Sequence, residues 1–178
     1  MADDTKTLDL YGIMRKNFGE YVYWTREMLV FVISAVRGKA ETIERYHRTA
    51  DGIAEAFSLY YEKSVGDEIR RLYYEQSLIF TEIARAYTYE NAKLYSEALE
   101  RLTRSIAVIT EYFQKINAAY DTKKVSEFME NNADRAVSQI KLRFAGNFDE
   151  EIDAFDNAFD NILEMADYVC ATIKNTMF

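Results

Sequence analysis

The clearest helical signal in the chain is the stretch FDEEIDAFDNAFDNILEMADYVCATI, residues 148–173. Apolar side chains recur through it every three or four residues, which is the periodicity of one face of an α-helix. Acidic residues occupy its first turn, where negative charge suits the positive end of the helix dipole. The stretch therefore predicts a long amphipathic helix that packs on a core. Its apolar stripe consists of Phe148, Ile152, Phe155, Phe159, Ile162, Leu163, Ala166 and Val169.

Turn-forming residues are scarce, because the 178-residue chain has no Pro and only 6 Gly. A β-rich or loop-rich fold of this size needs more of both. We therefore predict an all-α fold, an antiparallel bundle of about six helices joined by short connections. The length fits a single domain, 1–178, of which residues 1–7 are expected to be disordered or frayed. The predicted helices span residues 8–37, 40–63, 67–87, 89–119, 122–144 and 148–178.

Local signals predict where these helices begin and end. Gly38 can adopt the left-handed conformation that stops a helix, and Ser64 can cap the start of one. No Gly or Pro follows the third helix, so we expect a break near Thr88, with that residue as the next N-cap. Asp121 or Thr122 is the expected cap of the fifth helix.

The longest apolar run of the chain is Met28–Val36, at the end of the stretch FGEYVYWTREMLVFVISAV, residues 18–36. A span across a bilayer takes about 20 apolar residues, so this run is too short. Charged residues, Glu27 and Arg37, also flank it. The acidic N-terminus lacks the basic and apolar regions of a signal peptide. The pattern favours a buried helix, no membrane association and a cytoplasmic location.

Charge and motif content argue against several classes of function. The net charge is −8 and the basic residues are scattered, so binding to nucleic acid is not expected. Cys170 is the only cysteine and is interpreted as a small core residue. No nucleophile motif and no glycine cluster for a phosphate loop is present. The sequence leans toward a protein that is not an enzyme and that has no cofactor.

Glutamates recur at a fixed interval in the odd-numbered predicted helices, since Glu20, Glu75 and Glu130 are 55 residues apart each time. The even-numbered helices contain similar pairs 56 residues apart, such as Ile53 and Ile109. Amphipathic helices share apolar positions by their nature, so the apolar pairs alone are weak evidence. We predict three related helical hairpins with a period of about 55 residues. Hydrogen-bonding residues follow the three glutamates, namely Tyr21, Gln76 and Asn131.

One pair of residues matches half of a known metal-binding pattern. Glu44 and His47 form a Glu-x-x-His pair, and His47 is the only histidine. Ferritin-like di-iron bundles use two such pairs on two helices. A single pair arises easily by chance in a Glu-rich helix. A metal site at Glu44 and His47 is therefore a minor alternative.

Several stretches together resemble a family of small all-helical bacterial proteins, most of them from Bacillus- and Clostridium-like bacteria. The resemblance covers about residues 10–178 and includes EYVYWTREMLVFVIS, YYEKSVGDEIRRLYYEQSL, SIAVITEYFQKIN and RFAGNFDEEIDAFDNAFDNILEMADYVCATI. The family pattern contains Glu-His-Val-x-Trp-Thr-Arg, then Glu-His-Leu, then Glu-His-Leu-x-Leu-Thr. Glu20 with Trp24 and Arg26, then Glu75, then Glu130 match it here. Some relatives carry the automatic labels acetylglutamate kinase or glycosyltransferase, which the predicted fold and motifs do not support.

This chain departs from the family pattern at each histidine, where Tyr21, Gln76 and Asn131 stand instead. These three residue types form hydrogen bonds but make a poor site for a transition metal. The resemblance therefore implies either a metal site that is lost in this chain or a polar network that is preserved in it.

We expect a non-catalytic bundle that binds a small ligand or a protein partner through a polar and aromatic seam between helices. One alternative is a metal-binding protein or enzyme whose family histidine ligands are replaced. Another is a structural or oligomerisation module, such as a homodimer. The candidate seam residues are Glu20, Tyr21, Trp24, Arg26, Glu75, Gln76, Glu130 and Asn131.

Overall fold

The computed structural model describes the backbone of residues 2–177 and the side chains of residues 9–177. This part of the chain consists of helices and short connections and contains no strand. The prediction of an all-α bundle of about six helices is confirmed. The helices of the described residues are α1 (Ala2–Ile33), α2 (Lys39–His47), α3 (Thr49–Ser58), α4 (Lys63–Thr88), α5 (Ala92–Ile116), α6 (Thr122–Ala145) and α7 (Phe148–Met177).

The prediction that residues 1–7 are disordered or frayed falls largely outside the described part of the chain. The backbone of α1 begins at Ala2, whereas residue 1 and the side chains of residues 2–8 lie outside the described part of the chain. The expectation that residues 1–7 are frayed therefore stays a prediction.

One predicted helix, 40–63, is interrupted and forms both α2 and α3. The interruption falls at Arg48, where the φ of −70° and ψ of −9° leave the backbone close to helical. Next to it, the Thr49 hydroxyl donates to the Tyr46 carbonyl oxygen at 2.6 Å, which competes with the regular backbone ladder. The second half ends at Ser58, short of the predicted end.

The ends of the other helices follow the sequence signals in part. The cap at Asp121 is confirmed, because its side chain accepts hydrogen bonds from the backbone N–H groups of Lys123 and Lys124. The caps expected at Ser64 and Thr88 are wrong. Ser64 lies inside α4, and Thr88 is the last residue of α4. The side chain of Asn91 instead caps α5, accepting from the N–H of Leu94 at 3.1 Å.

Three helices form the centre of the bundle, because α1, α4 and α6 all contact one another. The remaining helices surround them. The α2–α3 segment packs on α1 and α4, α5 packs on α4 and α6, and α7 packs on α6 and α1. Each outer segment therefore covers the groove between two central helices, and a side chain that points inward from a central helix meets the other two.

The three connections from a central helix to its outer partner lie at residues 34–38, 89–91 and 146–147. Each contains at least one residue in the left-handed conformation: Ala35 with a φ of 52° and Gly38 with 86° in the first, Glu90 with 53° in the second and Gly146 with 81° in the third. Ala35, Glu90 and Gly146 are 55 and 56 residues apart. This spacing matches the predicted period and supports the prediction of related hairpins, which stays a prediction.

Aromatic side chains fill the middle of the core. Phe18 on α1 packs edge-on against Phe57 and Tyr73, with ring centroids 6.5 and 6.0 Å apart. Phe57 in turn meets Phe113 at 5.5 Å. Such edge-to-face pairs add to the free energy gained from burying the rings. No helix among the described residues has the length and apolar character that a membrane crossing requires.

Cys170 on α7 is fully buried, as its interpretation as a core residue predicts. Its thiol lies against α1 and donates a long hydrogen bond of 3.7 Å to the carbonyl oxygen of Leu10. Burial raises the pKa of this thiol to about 12, so it stays protonated at neutral pH.

Candidate functional site

Two of the predicted seam residues meet in the centre of the bundle. The Tyr21 hydroxyl on α1 donates a hydrogen bond of 2.9 Å to Oε1 of Gln76 on α4. Both side chains are buried, with 5% and 2% of their surface exposed. A buried polar pair therefore links α1 and α4. Its two residues are 55 positions apart, which is the predicted repeat period.

A small pocket adjoins this pair, and we call it the seam pocket. Tyr21 and Thr25 of α1, Gln76 of α4, and Asn132 and Gln139 of α6 provide its polar lining. Apolar side chains complete the walls, including two from α7 that close its outer side. The volume of the pocket is about 20 Å³. That volume suffices for about one water-sized group.

The polar residue that α6 contributes to the seam pocket is one position further along the chain than predicted. Asn131 is exposed, and Asn132 faces the seam pocket instead. Because an α-helix turns by about 100° per residue, neighbouring residues cannot face the same partner. Gln139, which the sequence reasoning missed, lies seven residues after Asn132 and so on the same face. That helical spacing is the signal that could have identified both.

Several polar atoms of the pocket have no protein partner. Both side-chain amide atoms of Asn132 are buried without a hydrogen bond, and so is Oε1 of Gln139. Gln139 is 3% exposed, so bulk solvent does not reach it. A buried polar group without a partner costs about 1–3 kcal/mol. These atoms therefore provide unused hydrogen-bonding capacity inside the pocket.

The pocket is electrically neutral. Among the described residues that line it, none is Asp, Glu, Lys, Arg or His, and the titratable ones are Tyr21 and Tyr73. Burial raises the pKa of both phenols well above the usual value of 10, so both stay protonated at neutral pH. The arrangement can accept and donate hydrogen bonds, but it offers no group that exchanges protons near pH 7.

Glu20 and Trp24 lie on α1 away from this pocket and hold α2 in place. The Arg45 guanidinium of α2 donates to Oε2 of Glu20 at 2.9 Å. It also stacks over the Trp24 ring, 4.7 Å from the centroid. The three side chains form a half-buried contact between α1 and α2, so Glu20 and Trp24 have a structural role.

Arg26 belongs to a different cluster, at the start of α7. Its guanidinium donates two hydrogen bonds, of 2.8 and 3.1 Å, to the carboxylate of Glu151. Arg143 of α6 donates to the same carboxylate at 3.1 Å. Glu151 is 1% exposed, so one buried carboxylate joins three helices. The sequence reasoning placed Glu151 only in an acidic first turn, and nothing in its spacing predicts these partners.

Glu75, Glu130 and Asn131 are exposed and lie apart. Glu75 accepts from Arg71 at 3.0 Å beside the groove between α4 and α5. Glu130 accepts from the Ser126 hydroxyl at 2.6 Å and lines the groove between α5 and α6. In the described part of the chain, the three repeat glutamates therefore lie at separate places rather than in one cavity.

The pair Glu44 and His47 is also divided. Glu44 is exposed, whereas His47 is half-buried with Nε2 3.1 Å from Oγ1 of Thr81. Since the Thr81 hydroxyl donates its single hydrogen to the Ser77 carbonyl, it accepts from Nε2–H of His47. Within the described residues, no three His, Cys, Asp or Glu side chains are grouped as metal ligands.

Comparisons with known proteins give no support to the family resemblance described above. Protein-family models, curated proteins and solved structures contain no match to this chain.

Proposed function

We propose that the protein is a non-catalytic helical bundle that binds a small, uncharged polar molecule in the seam pocket. The observation that supports this proposal is that Asn132 and Gln139 line a pocket and have buried side-chain amide atoms without a hydrogen-bond partner. Buried polar groups in folded proteins nearly always have partners. A bound molecule that donates to Gln139 and exchanges hydrogen bonds with Asn132 would satisfy them.

The lining defines the chemistry of the ligand. Asn132 offers an N–H donor and a carbonyl acceptor, whereas Oε1 of Gln139 offers an acceptor alone. The ligand therefore needs at least one donor and one acceptor, as an alcohol has. A charged ligand is disfavoured, because moving a charge into this neutral site without a counter-charge is costly.

The volume sets an upper limit on ligand size. With a volume of about 20 Å³, the pocket as it stands holds about one or two non-hydrogen atoms. A larger ligand requires α7 to move away from α1 and α6. We therefore expect only the smallest polar molecules to bind without a change in helix packing.

The same lining supports binding rather than catalysis. General acid–base catalysis uses a group with a pKa near the working pH. The phenols of Tyr21 and Tyr73 have a pKa raised by burial and do not titrate there. We propose that their role is to orient hydrogen bonds, as in the bond from Tyr21 to Gln76.

The test uses side-chain amide signals in NMR spectra of ¹⁵N-labelled protein. Methanol, which has two non-hydrogen atoms, is titrated as the probe, and we expect saturable shifts of the Asn132 and Gln139 amide signals. The variant Asn132→Leu should abolish saturation at Gln139. The matched control is Asn131→Leu, which makes the same change at the exposed neighbouring position and should keep it. Linear, unsaturable shifts in the natural chain would reject the proposal.

A metal-binding protein or enzyme, whose family histidine ligands are replaced here by Tyr21, Gln76 and Asn131, stays the second prediction from the sequence. Elemental analysis of purified protein tests it, and stoichiometric iron, manganese or zinc would favour it over the seam-pocket proposal. A structural module, a protein partner, a homodimer, a bacterial origin and a cytoplasmic location also stay predictions, as does the expected lack of nucleic-acid binding.

A further inference from the structure

A second pocket, larger than the seam pocket, lies where the end of α4, the start of α5 and the end of α6 meet. We call it the turn pocket. Its volume is about 360 Å³, and it opens to solvent. That size falls within the range of small-molecule sites in proteins, about 300–1,000 Å³. Its main walls are the rings of Tyr87, Tyr95 and Phe144, and Glu90 stands beside them.

The three rings are set at an angle to one another. The Tyr87 ring lies 5.3 Å from the Tyr95 ring at an interplanar angle of 56°. It lies 5.3 Å from the Phe144 ring at 85°. Phe144 is 44% exposed, so part of its surface is available to a ligand. The faces of these rings carry partial negative charge.

Glu90 is the charged residue of the lining. Its side chain is exposed, and no Lys, Arg or His of the described residues pairs with it. A carboxylate beside π-faces makes the pocket attractive to a cation. The net charge of −8 on the whole chain acts in the same direction.

The backbone of Glu90 has a conformation that is unfavourable for a residue with a side chain. Its φ is 53°, in the left-handed region that glycine adopts most readily. The N–H groups of Glu90 and Asn91 bond back to the carbonyls of Tyr87 and Ala86, which is the Schellman pattern of a helix end.

The same pattern ends α6, where glycine occupies the left-handed position. The N–H groups of Gly146 and Asn147 bond back to the carbonyls of Arg143 and Leu142 with the same offsets. Glycine is the usual residue there, because it lacks the Cβ that creates strain. A glutamate at the corresponding position of the α4–α5 turn therefore has a strained backbone, and its exposed side chain gives no ion pair within the described residues that offsets this strain.

We propose that the turn pocket binds a quaternary ammonium compound. Quaternary ammonium ions are recognised by aromatic rings around the cation, and they have no N–H groups that demand hydrogen-bond acceptors. A primary ammonium would need three acceptors, and three of the seven lining residues are aromatic. Glu90 supplies the counter-charge.

The central test compares choline with 3,3-dimethylbutan-1-ol, an uncharged molecule of nearly the same shape. Binding to the natural chain is measured by NMR titration of the signals of Tyr87, Tyr95 and Phe144. We expect choline to bind at least about tenfold more tightly, because only the cation gains from the ring faces and the carboxylate. Equal affinities, or no saturable choline binding, would overturn the proposal.

Variants then locate the site. Glu90→Gln removes the charge and keeps the left-handed backbone, and Phe144→Leu removes one exposed ring. Each should weaken choline binding at least about fivefold. The matched control is Tyr89→Leu, which changes a ring that is 71% exposed and outside the pocket lining, and its affinity should match the natural chain. Unfolding curves show that the variants are folded. Loss of affinity in Tyr89→Leu alone would place the site elsewhere and overturn the proposal.

A last comparison separates a free ammonium compound from a lipid headgroup. Vesicles of phosphatidylcholine and of phosphatidylglycerol are sedimented with the protein. Retention on phosphatidylcholine alone, reversed by tetramethylammonium, assigns the ligand to a headgroup. No retention, together with choline binding in solution, assigns it to a free compound. The seam pocket shares no residue with this site, so the two proposals succeed or fail separately.

Discussion

The hydroxyl of Tyr21 and the side-chain oxygen of Gln76 are joined by a buried hydrogen bond of 2.9 Å between positions 55 residues apart. This bond links two of the three central helices inside an otherwise largely apolar core. A buried polar pair of this kind favours one register of the two helices, because sliding either helix leaves both groups without a partner.

The pair should show strong coupling in unfolding experiments. Tyr21→Phe removes the donor and leaves Oε1 of Gln76 buried without it, so the free energy of unfolding should fall by about 1–3 kcal/mol. Adding Gln76→Leu removes the second partner, and the double variant should lose less than the sum of the two single changes. Urea denaturation measures all four proteins. Additive losses would show that the bond has no coupling energy.

The carboxylate of Glu151 should be the most sensitive charged group in the bundle. Glu151→Gln leaves the guanidinium groups of Arg26 and Arg143 without their shared counter-charge. Breaking a buried ion pair in this way costs about 3–5 kcal/mol. The exposed neighbour provides the control, since Glu150→Gln should change the free energy of unfolding by about 0.5 kcal/mol or less. Similar effects in the two variants would contradict a special role for Glu151.

The left-handed residues at the helix ends should respond to substitution with opposite signs. Glu90→Gly should raise the free energy of unfolding by about 1 kcal/mol, because glycine adopts a φ of 53° without strain. Gly146→Ala should lower it by about the same amount at a φ of 81°. Thermal and urea unfolding provide the measurement. Glu90→Gly should also lose choline binding, so that the stabilised variant is the one that binds less.

His47 should make the bundle less stable as the pH falls. Burial, together with the charge of Arg85, lowers the pKa of its imidazole below the usual 6.5. Below 6.5 the unfolded chain takes up a proton while the folded chain stays neutral, so the free energy of unfolding decreases down to the lowered folded pKa. Above the unfolded pKa, His47 contributes no pH dependence.

The variant His47→Gln isolates this effect, because glutamine does not titrate. The natural chain should lose stability between pH 7 and pH 5.5, whereas the slope in His47→Gln should be flatter over the same range. Urea midpoints at several pH values give both slopes. Equal slopes would show that the imidazole has the same pKa in the folded and unfolded chains.

The helices could be predicted because their evidence is local. Apolar spacing along residues 148–173, the absence of Pro and the small number of Gly identify helices without knowledge of the partners. Cap residues were harder, because Thr88 and Asn91 are both good caps three residues apart and only the folded turn selects Asn91. The interruption at Arg48 lacks a sequence signal such as Pro.

The candidate site could be predicted only in part, because it depends on how three helices face one another. Tyr21 and Gln76, both candidate seam residues from the sequence, lie beside each other, but the residue of α6 that lines the pocket with them is Asn132 and not Asn131. Arg26 meets Glu151 across 125 residues, and no local pattern encodes such a pair. The rings of the turn pocket come from α4, α5 and α6, which are brought together only by folding.

The burial of Cys170 provides a means to observe the bundle opening. Its thiol is covered by α1 and has a pKa of about 12, so alkylating reagents can react with it only after α1 has separated from α7. The rate of labelling by iodoacetamide in native conditions therefore reports the frequency of that separation. A ligand that binds between the central helices should slow the labelling, and the single cysteine makes the signal unambiguous without any engineered probe.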